Sequence, residues 1–252
     1  MEPLKFFDCN CCFGMRSIVD PGSFHKAEDL KKRMRHYGIN RALVYHSMAR
    51  EYNPIIGNNM LAQEIRKNPS FYPLWVVMPN HTGEFHTPAE LKRQLKINNV
   101  RAVRMFPSQH EQNYSLEPWN CGELLCTLET YRIPLFIGLD QLGFNELHRL
   151  CGHYPDLNIV LIDLGYSVDR NLYALLDKFM NLYIETSGYK VHNGIEEICT
   201  RFGAHRLIFG SKMPEFSGGA AVSMINYARI SDKEKSMIAY ENLDKLLGGV
   251  IL

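Results

Sequence analysis

A chain of 252 residues, 46% hydrophobic and 22% charged, has the make-up of an ordinary globular protein. It is long enough to bury about three quarters of the surface its unfolded form exposes. The 28 Lys and Arg offset 27 Asp and Glu to a formal net charge of +1, which argues against a nucleic-acid partner, whose basic face would show in the balance. No uninterrupted apolar stretch approaches the roughly 18 residues of a membrane helix. Residues 1–10, MEPLKFFDCN, do not read as a secretory leader. With no leader, the seven cysteines are expected to be reduced thiols in a cytoplasmic protein.

No low-complexity stretch, charge block or Pro/Ser linker divides the chain, so one domain over residues 1–252 is expected. One grammar recurs along it: a short β-branched or aromatic run, a polar loop, then a segment of helical period. The runs begin near Lys5, Arg41, Leu74, Val100, Pro134, Asn158, Leu182 and Leu207, at the roughly 30-residue spacing of a βα unit. Between the first two, Leu30, Met34 and Tyr37 form a helical stripe that ends at Gly38. Thr87-Pro88-Ala89-Glu90 reads as a capping box with proline at the first helical position, ahead of Leu91 and Leu95. Leu124, Leu125 and Leu128 make one later stripe, and Leu172, Leu175, Leu176 and Phe179 another. Ser231 to Glu234 is a second capping box, opening a terminal helix. Strand runs apolar almost throughout suit strands covered on both faces. Eight of them predict a single (β/α)8 TIM barrel, α/β in class, with a doubly wound sheet as the alternative.

In that fold, chemistry sits at the C-terminal ends of the strands. The residues there are 8–12, His46, Phe106-Pro107, 138–140, Asp163, 185–187 and 210–214. Read in order, these strand ends resemble the amidohydrolase superfamily, in particular its metal-dependent hydrolases and decarboxylases. The first strand of that family reads Asp-x-His-x-His; here it is Asp8-Cys9-Asn10-Cys11-Cys12, with Asn10 and Cys12 at the histidine positions. The Lys-Leu-His-Pro-like fourth strand end matches Arg104-Met105-Phe106-Pro107, and the Pro-x-x-x-His of the fifth ends here in Gly138. In the sixth, Asn158 to Gly165 carries Asp163 in place of histidine. The eighth, Phe-Gly-Ser-Asp-x-Pro, becomes Phe209-Gly210-Ser211-Lys212-Met213-Pro214, and Glu241-Asn242-Leu243 resembles the closing Asn-Leu segment.

The resemblance implies a small-molecule hydrolase of C–N or C–O bonds, or a decarboxylase of a small acid. The altered letters point to one lacking the usual metal centre, with no metal and no cofactor. A hydrolytic metal needs imidazoles or carboxylates around an open position. Here Lys212 adds a cation instead; at roughly 4 Å and an effective dielectric near 20, a unit pair interacts by about 4 kcal/mol. Lys212 and a metal therefore exclude one another unless the amine is neutral.

Lys212 and Asp163 are expected to pair in place of metal and ligand, leaving the ammonium to stabilise a carboxylate or oxyanion. A structural bridge plugging a dead site is the bland alternative. Cys12 is a candidate nucleophile with its thiolate favoured by Lys212, set against a small buried hydrophobe. Asn10, His46, Arg104 and Glu185 are the candidate substrate-binding residues. His46 is an acid or base at the mouth, or a histidine bonded to backbone. Arg104 takes a carboxylate ligand if it faces inward. Asp8 is structural or catalytic. On a regular strand Cys9 and Cys11 face one side and Asn10 and Cys12 the other, which counts against a chelating C-x-x-C. An atypical metal on Cys12, Asp163 and His46 is the remaining metal reading. Two functional alternatives stand beside the hydrolase: a catalytically silent small-molecule-binding pseudoenzyme, and a Schiff-base lyase using Lys212 with its pKa lowered by burial. The expected partner is a small, carboxylate-bearing ligand, with a homodimer expected only because related proteins often form one.

Overall fold

The structure, a computed structural model, describes residues 3–18 and 22–252. Met1 and Glu2, the start of the segment screened for a leader, and residues 19–21 lie outside the described residues.

Each apolar run forms a parallel strand: β1 (Phe7–Phe13), β2 (Arg41–His46), β3 (Phe71–Pro73), β4 (Trp75–Val76), β5 (Val103–Met105), β6 (Leu135–Gly138), β7 (Ile159–Ile162), β8 (Leu182–Glu185) and β9 (Leu207–Ile208). Continuous pairing runs β1-β2-β3 and β4-β5-β6-β7-β8-β9. The third run forms β4, and β3 lies just before the expected start at Leu74, whose N–H donates to the Val44 carbonyl at 2.9 Å. At the other seam the Cys9 N–H donates to the Phe209 carbonyl and the Cys12 N–H to the Met213 carbonyl, both at 3.0 Å. These bonds join the two sheets into the expected (β/α)8 barrel, and the doubly wound alternative falls away.

The helices are α1 (Ala27–Tyr37), α2 (Ser47–Glu51), α3 (Pro54–Ile65), α4 (Pro88–Ile97), α5 (Pro118–Thr130), α6 (Phe144–His153), α7 (Asp169–Lys178), α8 (Gly194–Phe202), α9 (Gly218–Tyr227), α10 (Asp232–Ser236) and α11 (Asn242–Gly248). α1 stops where Gly38 takes a φ of 73°, and the Ser231–Glu234 box closes both ways at the start of α10. The Thr87 box is only half made. The Glu90 N–H donates to the Thr87 hydroxyl, but the Glu90 carboxylate is drawn to Arg93 and Gln94 instead of back to residue 87. After α10 the chain widens into a π turn, Met237–Glu241, before α11.

Strand side chains divide by parity into two apolar layers. Val44, Val103, Leu135, Leu161 and Ile184 face the helices, while Leu43, Val76, Phe136, Val160 and Ile208 fill the barrel. Each such side chain, fully buried, contributes roughly 1.5–3 kcal/mol of transfer free energy. Leu243, Leu246 and Leu247 of α11 join the inner layer and cap the N-terminal end of the barrel. The C-terminal end is left to the polar residues of the strand ends.

β1 departs from regular alternation. Asp8 pairs with Ala42 and Cys11 with Val44, so three residues of β1 span two of β2, the signature of a β-bulge. Cys9 therefore packs in the inner layer with Cys12, and Cys11 packs against the helices. The expectation that Cys9 and Cys11 share a face is corrected by this one extra residue.

Candidate functional site

The bulge places both Cys9 and Asn10 on the barrel interior, because Asn10 bonds there to side chains of β5 and β8. Its Oδ1 accepts from Arg104 Nη1 at 2.8 Å, and its Nδ2 donates to Glu185 Oε2 at 3.3 Å. Asp8 fixes the bulge from behind: its Oδ1 accepts the N–H of Asn10 at 3.0 Å and of Ser211 at 2.9 Å. Of its two proposed roles, the contacts are structural.

Asp163 follows β7, where alternation from Ile162 would turn it outward. Its φ of 57° is left-handed and swings the carboxylate into the mouth. Lys212, beyond β9, has a φ of 56°, also left-handed. The ammonium stands 2.8 Å from Asp163 Oδ1, and Arg104 Nη2 donates to Oδ2 at 3.0 Å. Both oxygens of Asp163 thus face cations. Burial opposes ionisation of Asp163, but Arg104 and then Lys212 outweigh it and hold the carboxyl below its ordinary value. Burial likewise works against the Lys212 ammonium, and the Asp163 and Glu215 carboxylates overcome that and keep its pKa raised. The lowered pKa that the lyase reading expected of Lys212 is corrected to a raised one by these two carboxylates.

Arg104 faces inward and is 3% exposed, its guanidinium lying 4.8 Å over the rings of both Tyr45 and Phe106. Arg50 stacks on Phe106 and pairs with Glu111. Cys12 is buried, and burial pushes its thiol above the ordinary value; its side-chain partner is Tyr45. The thiolate expected from Lys212 is therefore corrected: desolvation decides the thiol. Glu185 is fully buried and raised to about 7 by burial and then by the charge of Asp163, while the Ser187 hydroxyl donates to it at 2.8 Å.

Asn10, Cys12, Arg104, Asp163 and Lys212 line one polar cavity of about 70 Å³, together with Tyr45, Arg50, Asp140, Met213 and Glu215. Glu185 sits beneath it, behind Asn10. His46 is not there. Its Nδ1 accepts the Met48 N–H at 3.2 Å, which caps α2, and its ring meets Phe13 edge-on. The substrate-binding expectation for His46 is thus corrected by parity, since Tyr45 is the residue of β2 that points inward. Tyr45, Arg50 and Glu215 are the lining residues that motif reading missed. Inward alternation with Leu43 was the available signal for Tyr45. Arg50 lies in the short α2 and Glu215 in the loop after Lys212, and the sequence does not reveal the path of either.

These donors do not fit a catalytic divalent metal. Asp163 is saturated by two cations, Asn10 is held by Arg104 and Glu185, and Lys212 places an ammonium in the cavity itself. Among the described residues, no three His, Cys, Asp or Glu side chains form a group able to hold a metal, the Cys12–Asp163–His46 set included. Two glycines complete the arrangement. A Cβ at Gly138 would collide with Asp140 Oδ1, and one at Gly210 with the Glu185 carboxylate. At the fifth strand end, then, a carboxylate from the following loop fills the space a longer side chain would need.

Fold and strand ends together define a parallel (β/α)8 barrel with a charged, closed-in mouth. The amidohydrolase family profile matches residues 24–249, and the chain belongs to that family. No curated protein matches the sequence. Among solved structures, an uncharacterised TIM-barrel protein from Bordetella bronchiseptica is similar at 16% identity and a TM-score of 0.76, with 98% of this chain and 99% of that one covered. A 5-carboxyvanillate decarboxylase from Sphingomonas paucimobilis is 15% identical at a TM-score of 0.77, covering 98% and 99%. A dihydroxybenzoic acid decarboxylase from a Polaromonas species, solved with manganese and 2-nitroresorcinol, is 15% identical at 0.74, covering 98% and 97%. At these identities the likeness carries the fold. Among the described residues no helix is long and apolar enough to cross a membrane.

Proposed function

We propose that this chain, as one domain over residues 1–252, acts on a small carboxylate-bearing molecule in the barrel mouth without a resident divalent metal, within the hydrolase and decarboxylase class its family suggests. The observation that carries the reading is Asp163, whose two oxygens are held by Lys212 and Arg104 at 2.8 and 3.0 Å. Lys212 is the group offered to the ligand. Its second ion pair, to Glu215 at 3.3 Å, involves a carboxylate 29% exposed at the rim. A ligand carboxylate can take the place of Glu215 there, and the ammonium then stabilises charge on the ligand with one unit where a metal would supply two. Arg104 and Asn10 hold Asp163 in position. Cys12, a protonated thiol, keeps a packing role. The cytoplasmic assignment rests on all seven cysteines being free thiols.

A second reading is the catalytically silent binder. It is favoured by a lining in which Arg50, Arg104 and Lys212 face Asp140, Asp163 and Glu215, so that charges already neutralise one another. The cavity is also small beside the roughly 300–1,000 Å³ of ordinary ligand sites.

The test begins with elemental analysis of protein purified without chelator. Far less than one equivalent of zinc, manganese or iron is expected, and a stoichiometric metal would defeat the proposal. Thermal shifts with formate, acetate and glyoxylate that disappear in Lys212→Met would support it. Shifts in the absence of turnover across ester, amide and carboxylic-acid panels would select the silent binder.

A further inference from the structure

The opposite end of the barrel carries a cavity of its own. It measures about 600 Å³ and lies where β6, β7 and β8 begin, against the π turn and α11. That volume falls within the range of small-molecule sites, whereas the mouth at the other end does not. Buried Phe136, Val160 and Ile208 fill the barrel between the two.

Its lining is of two kinds. Met237, Leu246 and the ring of Tyr183 give it an apolar wall. Arg132, His205 and Lys245 stand exposed at its edge, opposed among the lining residues by one carboxylate, Glu241, which accepts the Ser236 hydroxyl at 2.6 Å. The pKa of His205 is lowered by burial and then by the charges of Arg206 and Lys245, which registers the positive field at this edge.

Two backbone features point the same way. Arg132 follows α5 with a φ of 52°, the left-handed position after a helix that glycine or asparagine usually fills. After α4 the corresponding residue is Asn99, at 49°, the ordinary choice. An arginine kept in a strained position implies that its side chain is wanted at that edge. The π turn Met237–Glu241 supplies both an apolar and a charged residue to the same cavity, and such turns recur at functional sites.

We propose that the N-terminal end of the barrel is a second binding site, for an organic anion with an apolar body: the body lies on Tyr183, Met237 and Leu246, and the anionic group meets Arg132 and Lys245. This site is independent of the proposal for the barrel mouth.

The experiment is calorimetric titration of the full chain with 1-naphthylacetate, and with 1-naphthylmethanol as its uncharged match. Saturable binding of the acid is expected, with the alcohol weaker by about tenfold or more. The double variant Arg132→Glu/Lys245→Glu should weaken the acid by at least that factor, and Lys212→Met, at the other end, should leave it unchanged. Both altered side chains are exposed, and Lys245→Glu alone serves if the double variant does not fold. Absence of saturable binding, equal affinity for acid and alcohol, or loss of binding in Lys212→Met would overturn the proposal. So would a concentration-dependent dimer abolished by the charge reversal, which would make this end a contact between copies of the chain.

Discussion

Asp163 and Lys212 meet at 2.8 Å from two strand ends, and each does so from a left-handed backbone that other residue types reach more easily. Such conformations cost roughly 1–2 kcal/mol per residue and persist where the surroundings over-determine them. Here the surroundings are Arg104 on the second oxygen and Glu215 on the far side of the ammonium. The pair is thus one link in a chain of charges that closes the mouth.

That chain has an order of importance. Asp163→Asn leaves the buried guanidinium of Arg104 without an anion and should destabilise the protein by about 3 kcal/mol. Lys212→Met leaves Asp163 still paired with Arg104, and the lysine side chain is 23% exposed, so the loss should be about 1 kcal/mol. Urea unfolding of both variants measures the difference. Equal losses would mean that Arg104 does not anchor Asp163.

Lys212→Asp tests the electrostatic argument against a metal directly. The substitution replaces an ammonium beside Asp163 with a second carboxylate, which repels in the absence of a cation and attracts one when present. The variant should unfold at lower temperature than the parent and recover several degrees in millimolar Mn²⁺, by preferential binding to the folded state. The parent's melting temperature should not respond. A parent that responds as strongly as the variant would show that Lys212 does not bar the ion.

Glu185 makes stability depend on pH in an unusual sense for a carboxylate. Its pKa is about 7 when folded, against an ordinary value of 4.5, so between those values the folded chain holds a proton that the unfolded chain releases. Stability from this group is complete below pH 4.5 and declines as pH rises toward 7, by at most about 3 kcal/mol. Glu185→Gln has no such slope. Between pH 5 and pH 8 the variant should therefore gain on the parent by 1 to 3 kcal/mol in urea unfolding, on the order set by that linkage. Parallel stability curves would show that the buried carboxyl ionises as if exposed.

Arg206 is a structural counterpart, 2% exposed and bonded to backbone carbonyls. Its Nη1 donates to the carbonyls of Phe179, Met180 and Leu182 at 2.9 Å, and its Nη2 to that of Leu176 at 3.2 Å. Arg206→Met strands those carbonyls where β8 begins and should destabilise the fold by about 3 kcal/mol or more. Lysine has neither the planar fork nor enough donors, so Arg206→Lys should recover only part of the loss. Thermal unfolding of the two variants ranks them.

The barrel was legible because it is written in periodicity. Runs at Arg41, Pro134, Asn158 and Leu182 became β2, β6, β7 and β8 almost residue for residue. The Lys212–Asp163 pairing was legible too, since it follows from two altered letters at the ends of the sixth and eighth runs. The rest depends on path and environment. A bulge leaves no mark in the residues Cys9 and Asn10 themselves, so Cys9 faces the side opposite to the one alternation predicts. The Cys12 thiol departs from the expected thiolate because its ionisation is set by depth of burial, which spacing does not supply. Arg50 reaches the mouth from α2, five residues long, and no motif announces it.

The extra residue in β1 also sets how the mouth could be rebuilt. Deleting Cys9 would leave Asp8 against Ala42 and Cys11 against Val44, with Asn10 alone opposite Leu43. Strict alternation then returns without any slide, and Phe7 at the floor and Cys12 at the opening both stay inward. The bulge is thus a spare step in the wall: its loss costs one buried thiol and leaves the opening and the plug at its base in frame.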